Sequence, residues 1–501
     1  MSLLALQTAP LSLPRQPAVL LTAAAYALIT AAIGIWASRR TRSAGDFFTA
    51  GRRLGPFALG VAAMASTLSG FTFIGGPGLL YSVGLGALLI FLPASLSNCL
   101  SAWVLAKRLR LLGEARNLLT IPDAIGVRYN SPAAQGLAAV AMLVAIVGYL
   151  ATNLLALGLV IDALFATGLG TGIWIGTAAV LAYSVGGGIL AGVYTDVFQG
   201  LVMAMASGLV FLAALRVGGG LGQMSAAILA REPAFLAPWG TLAPLAGLSF
   251  FFVFGVGVLG QPHVLHKFYM LKDPLRLRWY PLIMTLAMVV TLLLLFGVGL
   301  VMKAEVIRGA LPPLGRPDDA TPVFLLRFVS PWVAGLLFAG VAAAIMSTVN
   351  SFLNVGAAAI SHDLPQAVGR PVGNALRTGR LATLAIGILA ASVAQASGTL
   401  VAFLGIFGWG LFAATLVPAL AIGLNWKGGT RAGAIASIGV GLGATLVGET
   451  LGFLRIYALP HGVTVSGLAL VLALLTYLGV SRLTRASTPE LDPDVKLVLE
   501  L

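Results

Sequence analysis

Thirteen apolar runs follow one another through this chain, near residues 17–38, 55–83, 85–106, 132–165, 170–188, 193–215, 240–264, 280–302, 328–358, 381–397, 400–424, 432–450 and 462–481. Each is close to the ~20 residues an α-helix needs to cross a bilayer. The runs are long, continuous and rich in Leu and Ala, which favours helices over the strands of a barrel. Only 9% of the 501 residues are charged and the mean hydropathy is +0.99, whereas a soluble domain carries about 25% charge. The expected fold class is therefore an all-α polytopic membrane protein with 13 transmembrane helices. The polar stretches 104–130 and 303–327 are too short to hold a separate catalytic domain, so no enzyme is expected. Cys99 is the single cysteine, which excludes an intrachain disulfide. The histidines are scattered apart from His263 and His266, and spacing gives no metal constellation, no cofactor and no signal peptide.

The net charge of +14 reads as topology rather than as a nucleic-acid surface. Of the 30 Lys and Arg, 22 fall in the loops after the odd-numbered helices and in the tail, and 8 on the other side. The positive-inside bias then places the N-terminus outside and the C-terminus inside.

The second run holds Ser66, Thr67, Ser69 and Gly70 at mid-span, followed by Gly75, Gly76, Pro77 and Gly78. A break here frees backbone carbonyls, each costing several kcal/mol in lipid, and is tolerated where irregular backbone lines a cavity or binds a ligand. Close packing through small residues is the competing explanation. The seventh run, FGVGVLGQPH (254–263), is a second Gly/Pro-interrupted segment, five helices on. Its Gly255, Gly257 and Gly260 fit G-x-G-x-x-G, but no strand precedes them, so the dinucleotide reading fails. Paired interrupted spans point to an inverted-repeat transporter.

The ninth run, AAAIMSTVNSF (342–352), puts Ala344, Ser347 and Thr348 on one helix face. Two hydroxyls there, with carbonyls from a broken helix, would make an oxygen cage for Na+; bonding back to their own helix is the alternative. Among the acids, only Asp162, Asp196 and Glu449 fall inside the runs. Asp196 is a candidate for ion exit or a second ion, with a solvated interfacial position as the alternative. Asp162 and Glu449 lie near helix ends and are expected at the interface.

Six blocks occur in order: AGRRLGPFALGVAAMASTLSGFTFIGGPGLLY (50–81), TIPDAIGVRY (120–129), GGGILAGVYTDVFQG (186–200), GQPHV (260–264), AAAIMSTVNSF (342–352) and RAGAIASIGVG (431–441). Together they resemble the sodium:solute symporter family, nearest in motif to its sodium/proline-type branch. The resemblance implies a single transporter domain over 1–501 with a LeuT-type core. The extra helix would be 17–38, the inverted repeats 55–216 and 240–424 (chain helices 2–6 and 7–11), the C-terminal pair 429–482 and the cytoplasmic tail 483–501. It implies Na+ bound by the carbonyls of Ala65 and Leu68 with Ala344, Ser347 and Thr348, and a sodium-exit or second-site role for Asp196. It implies a substrate site near Thr67, Ser69, Gly70, Tyr149, Phe254, Val258 and Gln261. Members of the proline branch carry an aspartate at Thr67 and larger aromatics at Phe254 and Val258.

The expectation is a sodium-coupled symporter importing an amino acid or small organic acid by alternating access. It would be a monomer in lipid, in a bacterial-type inner membrane, with no nucleic-acid partner and Na+ as coupling ion in place of any cofactor. Alternatives are a sugar or pantothenate carrier, or a symporter-like sensor with a separate partner. A proton-coupled carrier would need a titratable group at the core midplane, where the runs place none.

Overall fold

The computed structural model describes residues 17–38, 54–370, 372–398, 400–457, 459–487 and 491–500. Arg15 and the basic loop residues Arg39, Arg40, Arg42, Arg52 and Arg53 lie outside the described residues. The helices are α1 Pro17–Ser38, α2 Pro56–Thr67, α3 Gly76–Val83, α4 Leu88–Ser101, α5 Lys107–Ala115, α6 Ile121–Tyr129, α7 Pro132–Phe165, α8 Leu169–Gly218, α9 Leu221–Leu229, α10 Pro244–Gly257, α11 Pro262–Leu265, α12 Tyr280–Ile307, α13 Ala320–Phe328, α14 Pro331–Ala358, α15 Ala375–Ser397, α16 Val401–Val417, α17 Arg431–Phe453, α18 Val465–Leu483 and α19 Pro493–Leu499. Among the described residues, ten helical segments are long and apolar enough to cross a membrane, and Pro17–Ile33, Pro56–Thr67 and Leu169–Ala182 are shorter apolar helices. Each of the thirteen apolar runs of the sequence is helical.

Local chemistry sets the helix starts. Pro occupies the first turn of α2, α7, α10, α11, α12 and α14, where its missing N–H costs nothing. Ser131 caps α7 by accepting from the Ala134 N–H at 3.2 Å, and Thr430 and Thr464 cap α17 and α18 in the same way.

Both interrupted spans are broken. α2 ends at Thr67, Leu68 is extended (φ −84°, ψ 115°), and the chain restarts as a π-turn at Phe71–Gly75 leading into α3. α10 winds down through a 3-10 turn at Val258–Gly260, Gln261 is extended (φ −81°, ψ 100°), and α11 restarts at Pro262. The chain reverses after α3 at Gly84, φ +72°, where a Cβ would sit 2.1 Å from the Phe235 carbonyl oxygen. Only glycine fits that approach.

The fifth and sixth runs differ from expectation, since their backbone is one 50-residue helix, α8. At 1.5 Å per residue it would measure about 75 Å if straight, more than twice the ~30 Å hydrocarbon core. Ile173 packs on Gly158 near the end of α7, and Arg308 at the end of α12 donates to the Gly218 carbonyl at 3.0 Å. Within α8, Gly192–Gly218 is long and apolar enough to cross a membrane and Leu169–Ala182 is a shorter apolar stretch. Residues 189–192, which separate the two runs, keep helical backbone.

Small residues let the core helices approach closely. A Cβ on Gly340 of α14 would meet the Ala206 Cβ of α8 at 2.5 Å, and one on Gly200 would meet Val61 of α2 at 2.7 Å. α14 thus packs between α2 and α8, which brings its hydroxyl face to the first break.

Candidate functional site: an oxygen cage at the α2 break

Breaking α2 at Leu68 leaves the carbonyls of its last turn without their usual helical donors. α14 supplies replacements. Ser347 Oγ donates to the Ala65 carbonyl at 2.7 Å, and Thr348 Oγ1 lies 3.0 Å from the Ser66 carbonyl and 3.2 Å from that of Leu68. The same hydroxyls reach back to the Ala344 carbonyl, at 3.1 Å from Ser347 and 3.0 Å from Thr348. Back-bonding and cage formation are thus not exclusive here. Ala65, Ala344, Ser347 and Thr348 are fully buried and Leu68 is 1% exposed. The structure brings all five together as carbonyl and hydroxyl oxygens with no charged group in the set. That donor chemistry fits a hard monovalent cation, whose contacts with these oxygens would replace the present hydrogen bonds.

Beside the cage lies a buried ion pair. Lys267 Nζ is 2.8 Å from Asp196 Oδ2, with side-chain exposures of 2% and 1%. Ser66 Oγ donates to the same carboxylate oxygen at 3.2 Å, and Ser351 Oγ lies 2.9 Å from Ser66 Oγ. Asp196 is therefore not a solvated interfacial residue. Lys267 is not a loop cation either; it continues the α11 segment into the protein through a 3-10 turn, His266–Met270. The charge count placed Lys267 in a loop, whereas the structure buries it against Asp196 beside the α2 break.

A cavity of ≈ 20 Å³, with room for about one water, adjoins the cage. Of the seven expected substrate residues, Thr67, Tyr149 and Phe254 are on its wall. Ser69 and Gly70 stand behind it: Ser69 Oγ is 3.2 Å from Tyr149 Oη, and the Gly70 N–H donates to Asn153 Oδ1 at 2.9 Å. Val258 and Gln261 are not on the wall. Val258 is fully buried, and the Gln261 amide folds back to donate to the Gly257 carbonyl at 3.1 Å. The wall also includes Phe71, Phe91 and Trp409, which sequence reading missed. Phe254 stacks between Phe71 (centroids 5.8 Å apart) and Trp409 (5.2 Å). The Trp409 indole N–H is buried without an acceptor among the described residues. The rings lie in the second, third, seventh and eleventh runs, so no single run carried a periodic signal for them.

At the end of the molecule bearing α6, Asp123, His362 and Asp363 each offer one ligand atom within 4.8 Å of the others. This grouping corrects the expectation that no such constellation exists; it joins residues about 240 positions apart. It is knit by hydrogen bonds: His362 Nε2 lies 3.0 Å from Asp123 Oδ2, Gln135 Nε2 donates to Asp123 Oδ1 at 2.7 Å, and Thr120 Oγ1 donates to Asp363 Oδ1 at 2.5 Å.

Residues 47–441 match the model of the sodium:solute symporter family. The chain is 27% identical over 460 residues to an osmoregulated proline transporter of Bacillus subtilis, covering 90% of this chain and 93% of that one. It is 29% identical over 452 residues to the sodium/pantothenate symporter of Escherichia coli, covering 87% and 92%. It is 28% identical over 476 residues to the sodium/proline symporter of Escherichia coli, covering 90% and 92%. Its fold is similar to that of a Na+-coupled sialic acid symporter in a substrate-bound outward-open state, with TM-score 0.74 and 17% identity over 96% of this chain and 100% of that one. These likenesses identify a LeuT-like fold.

Proposed function

This chain belongs to the sodium:solute symporter family, and we propose on that premise that it imports a small, largely apolar organic solute together with Na+ by alternating access. The solute is an amino acid such as proline or a small organic acid. The observation that carries this reading is the convergence of Ala65, Leu68, Ala344, Ser347 and Thr348 across the α2 break. Na+ there would join the two halves of the broken helix to α14 and so favour one arrangement of the core over another.

The solute would bind beside the cage, among Thr67, Tyr149, Phe254 and Trp409, which must part to admit it because the cavity between them has room for about one water. No charged side chain lines it, and three stacked rings do, which favours a compact apolar body over a polyhydroxylated sugar. The Trp409 N–H offers a donor for a carboxylate. Proline and pantothenate, named for the relatives, both carry one.

Thirteen spans, an outside N-terminus and an inside C-terminus follow from the thirteen helical runs and the distribution of Lys and Arg. Residues 55–216 and 240–424 form the inverted repeats, each opened by a broken helix. The protein would act as a monomer in the cell membrane. One Na+ crossing 100 mV supplies about 2.3 kcal/mol. A tenfold Na+ gradient adds about 1.4 kcal/mol, so one ion supports roughly 500-fold accumulation.

Proteoliposomes holding the purified protein test this reading. Uptake of radiolabelled L-proline, short carboxylates or pantothenate should require inward Na+ and vanish in choline. Uptake of any of them at equal rates in both salts would refute Na+ coupling.

A further inference from the structure

We propose that Lys267 is the resident cation of a second cation site centred on Asp196, and that it holds the protein to one bound Na+. The inference rests on the sodium-coupled reading above.

The oxygens around Asp196 would themselves make a cation site. Asp196 supplies two carboxylate oxygens, and Oδ1 has no donor among the described residues. Ser66 Oγ lies 3.2 Å from Asp196 Oδ2, and Ser351 Oγ lies 2.9 Å from Ser66 Oγ. Three elements thus converge: the end of α2, the middle of α8 and the hydroxyl face of α14. A carboxylate with two hydroxyls is a donor set for a hard monovalent cation. The position that such an ion would take on Oδ2 is filled by the Lys267 ammonium at 2.8 Å, its single hydrogen-bond partner among the described residues.

Electrostatics makes the occupancy exclusive. The pair is nearly dry and its charges cancel. Adding Na+ without expelling Lys267 would leave a net positive charge in a buried site, and the cost of an uncompensated buried charge is severe. Expelling Lys267 would bury an unpaired ammonium instead, because its 3-10 turn is itself fully packed between Leu265 and Met270.

The pair also borders the first cage. Ser66 gives its carbonyl to Thr348 and its hydroxyl to Asp196 and Ser351. One residue therefore separates the proposed Na+ from the Lys–Asp pair. The tether matters for coupling, because a covalently held cation fills the site in every state without being carried across. Lys267 follows the α11 restart, so the pair ties the second broken helix to the first.

The test is equilibrium binding of radioactive Na+ alone to the purified detergent-solubilised protein, which needs no knowledge of the solute. Wild type should bind one Na+ per chain with a Hill coefficient of one. Lys267→Met should bind two, because it leaves Asp196 unneutralised among free oxygens. The double variant Lys267→Met/Asp196→Asn should return to one. Two ions bound by wild type, or one by a folded Lys267→Met, would overturn the proposal. If Lys267→Met does not fold, the wild-type count and the double variant decide. No Na+ bound by wild type would instead bring down the sodium-coupled reading itself.

Discussion

Ser347 Oγ lies 2.7 Å from the carbonyl oxygen of Ala65, bridging an intact helix to the last turn of a broken one. The contact spans 282 residues of sequence and satisfies a carbonyl that the break orphans. It is a structural necessity without the ion and a ligand pair with it. The same two roles recur at Thr348, which serves Ser66, Leu68 and Ala344 with one hydroxyl.

Asn153 holds the far side of the break. Its Oδ1 accepts from the Gly70 N–H at 2.9 Å, and its amide donates to the Tyr149 carbonyl. Asn153→Ala orphans a buried N–H, which costs about 1–3 kcal/mol. Thermal unfolding in detergent should show a lower midpoint and transport a reduced kcat; an unchanged midpoint would mean that Gly70 finds another acceptor.

Trp409 contributes a ring and a donor. Trp409→Phe keeps a stack on Phe254 and removes only the N–H. Loss of one hydrogen bond to a charged group is worth about 1.5–3 kcal/mol. The solute KM should therefore rise by roughly 10- to 150-fold. Na+ binding without solute should stay as in wild type. Equal weakening of both would place Trp409 in the scaffold rather than in the solute site.

Asp318 gives the fold a pH dependence away from the membrane-spanning segments. Its carboxylate accepts from the Val401 N–H at 2.8 Å at the start of α16, and burial raises its pKa to about 6. The unfolded value is about 3.9. A raised pKa favours the protonated folded form, so this contribution is complete below pH ~4 and is lost as pH rises through about 6. Between pH 5 and 7 the unfolding midpoint should fall. Asp318→Asn keeps an acceptor for Val401 and should flatten that slope; a slope equal to wild type would assign it to other groups.

The C-terminal helix α19 docks by apolar packing more than by charge. Val495, Val498 and Leu499 are buried, whereas the ion pairs of Arg116 with Asp492 and Asp494 and of Lys427 with Glu500 are exposed. Exposed pairs contribute about 0–1 kcal/mol and weaken with salt. Arg116→Ala should change protease access to the tail by less than threefold. Val498→Asp should free it. A tail released by Arg116→Ala alone would reverse that ranking.

Much of this was legible in the sequence, for identifiable reasons. Hydropathy marked the long helices, because crossing lipid demands long apolar runs, and missed the short ones such as Ile121–Tyr129 and Ala320–Phe328. Gly, Pro and hydroxyls marked both breaks, and the i, i+3, i+4 spacing of Ala344, Ser347 and Thr348 survived as one face in α14. What failed were relations that no local pattern encodes. Lys267 looked like a loop cation because its partner Asp196 is 71 residues away. Trp409 and Phe71 meet only after the helices pack. Val258 and Gln261 were expected on the cavity wall by position in a motif, yet the 3-10 turn rotates them into the α10–α11 break. The break in hydropathy between the fifth and sixth runs did not break the helix, whose backbone is continuous through α8.

The most direct test of the cage is Na+-dependent thermal stability of the purified protein, wild type against Ser347→Ala/Thr348→Ala, in NaCl and in choline chloride. Wild type should gain stability as Na+ rises, and the double variant should require at least tenfold more Na+ while remaining folded in choline. Equal Na+ stabilisation of the two would contradict the assignment of the cation to the α2 break.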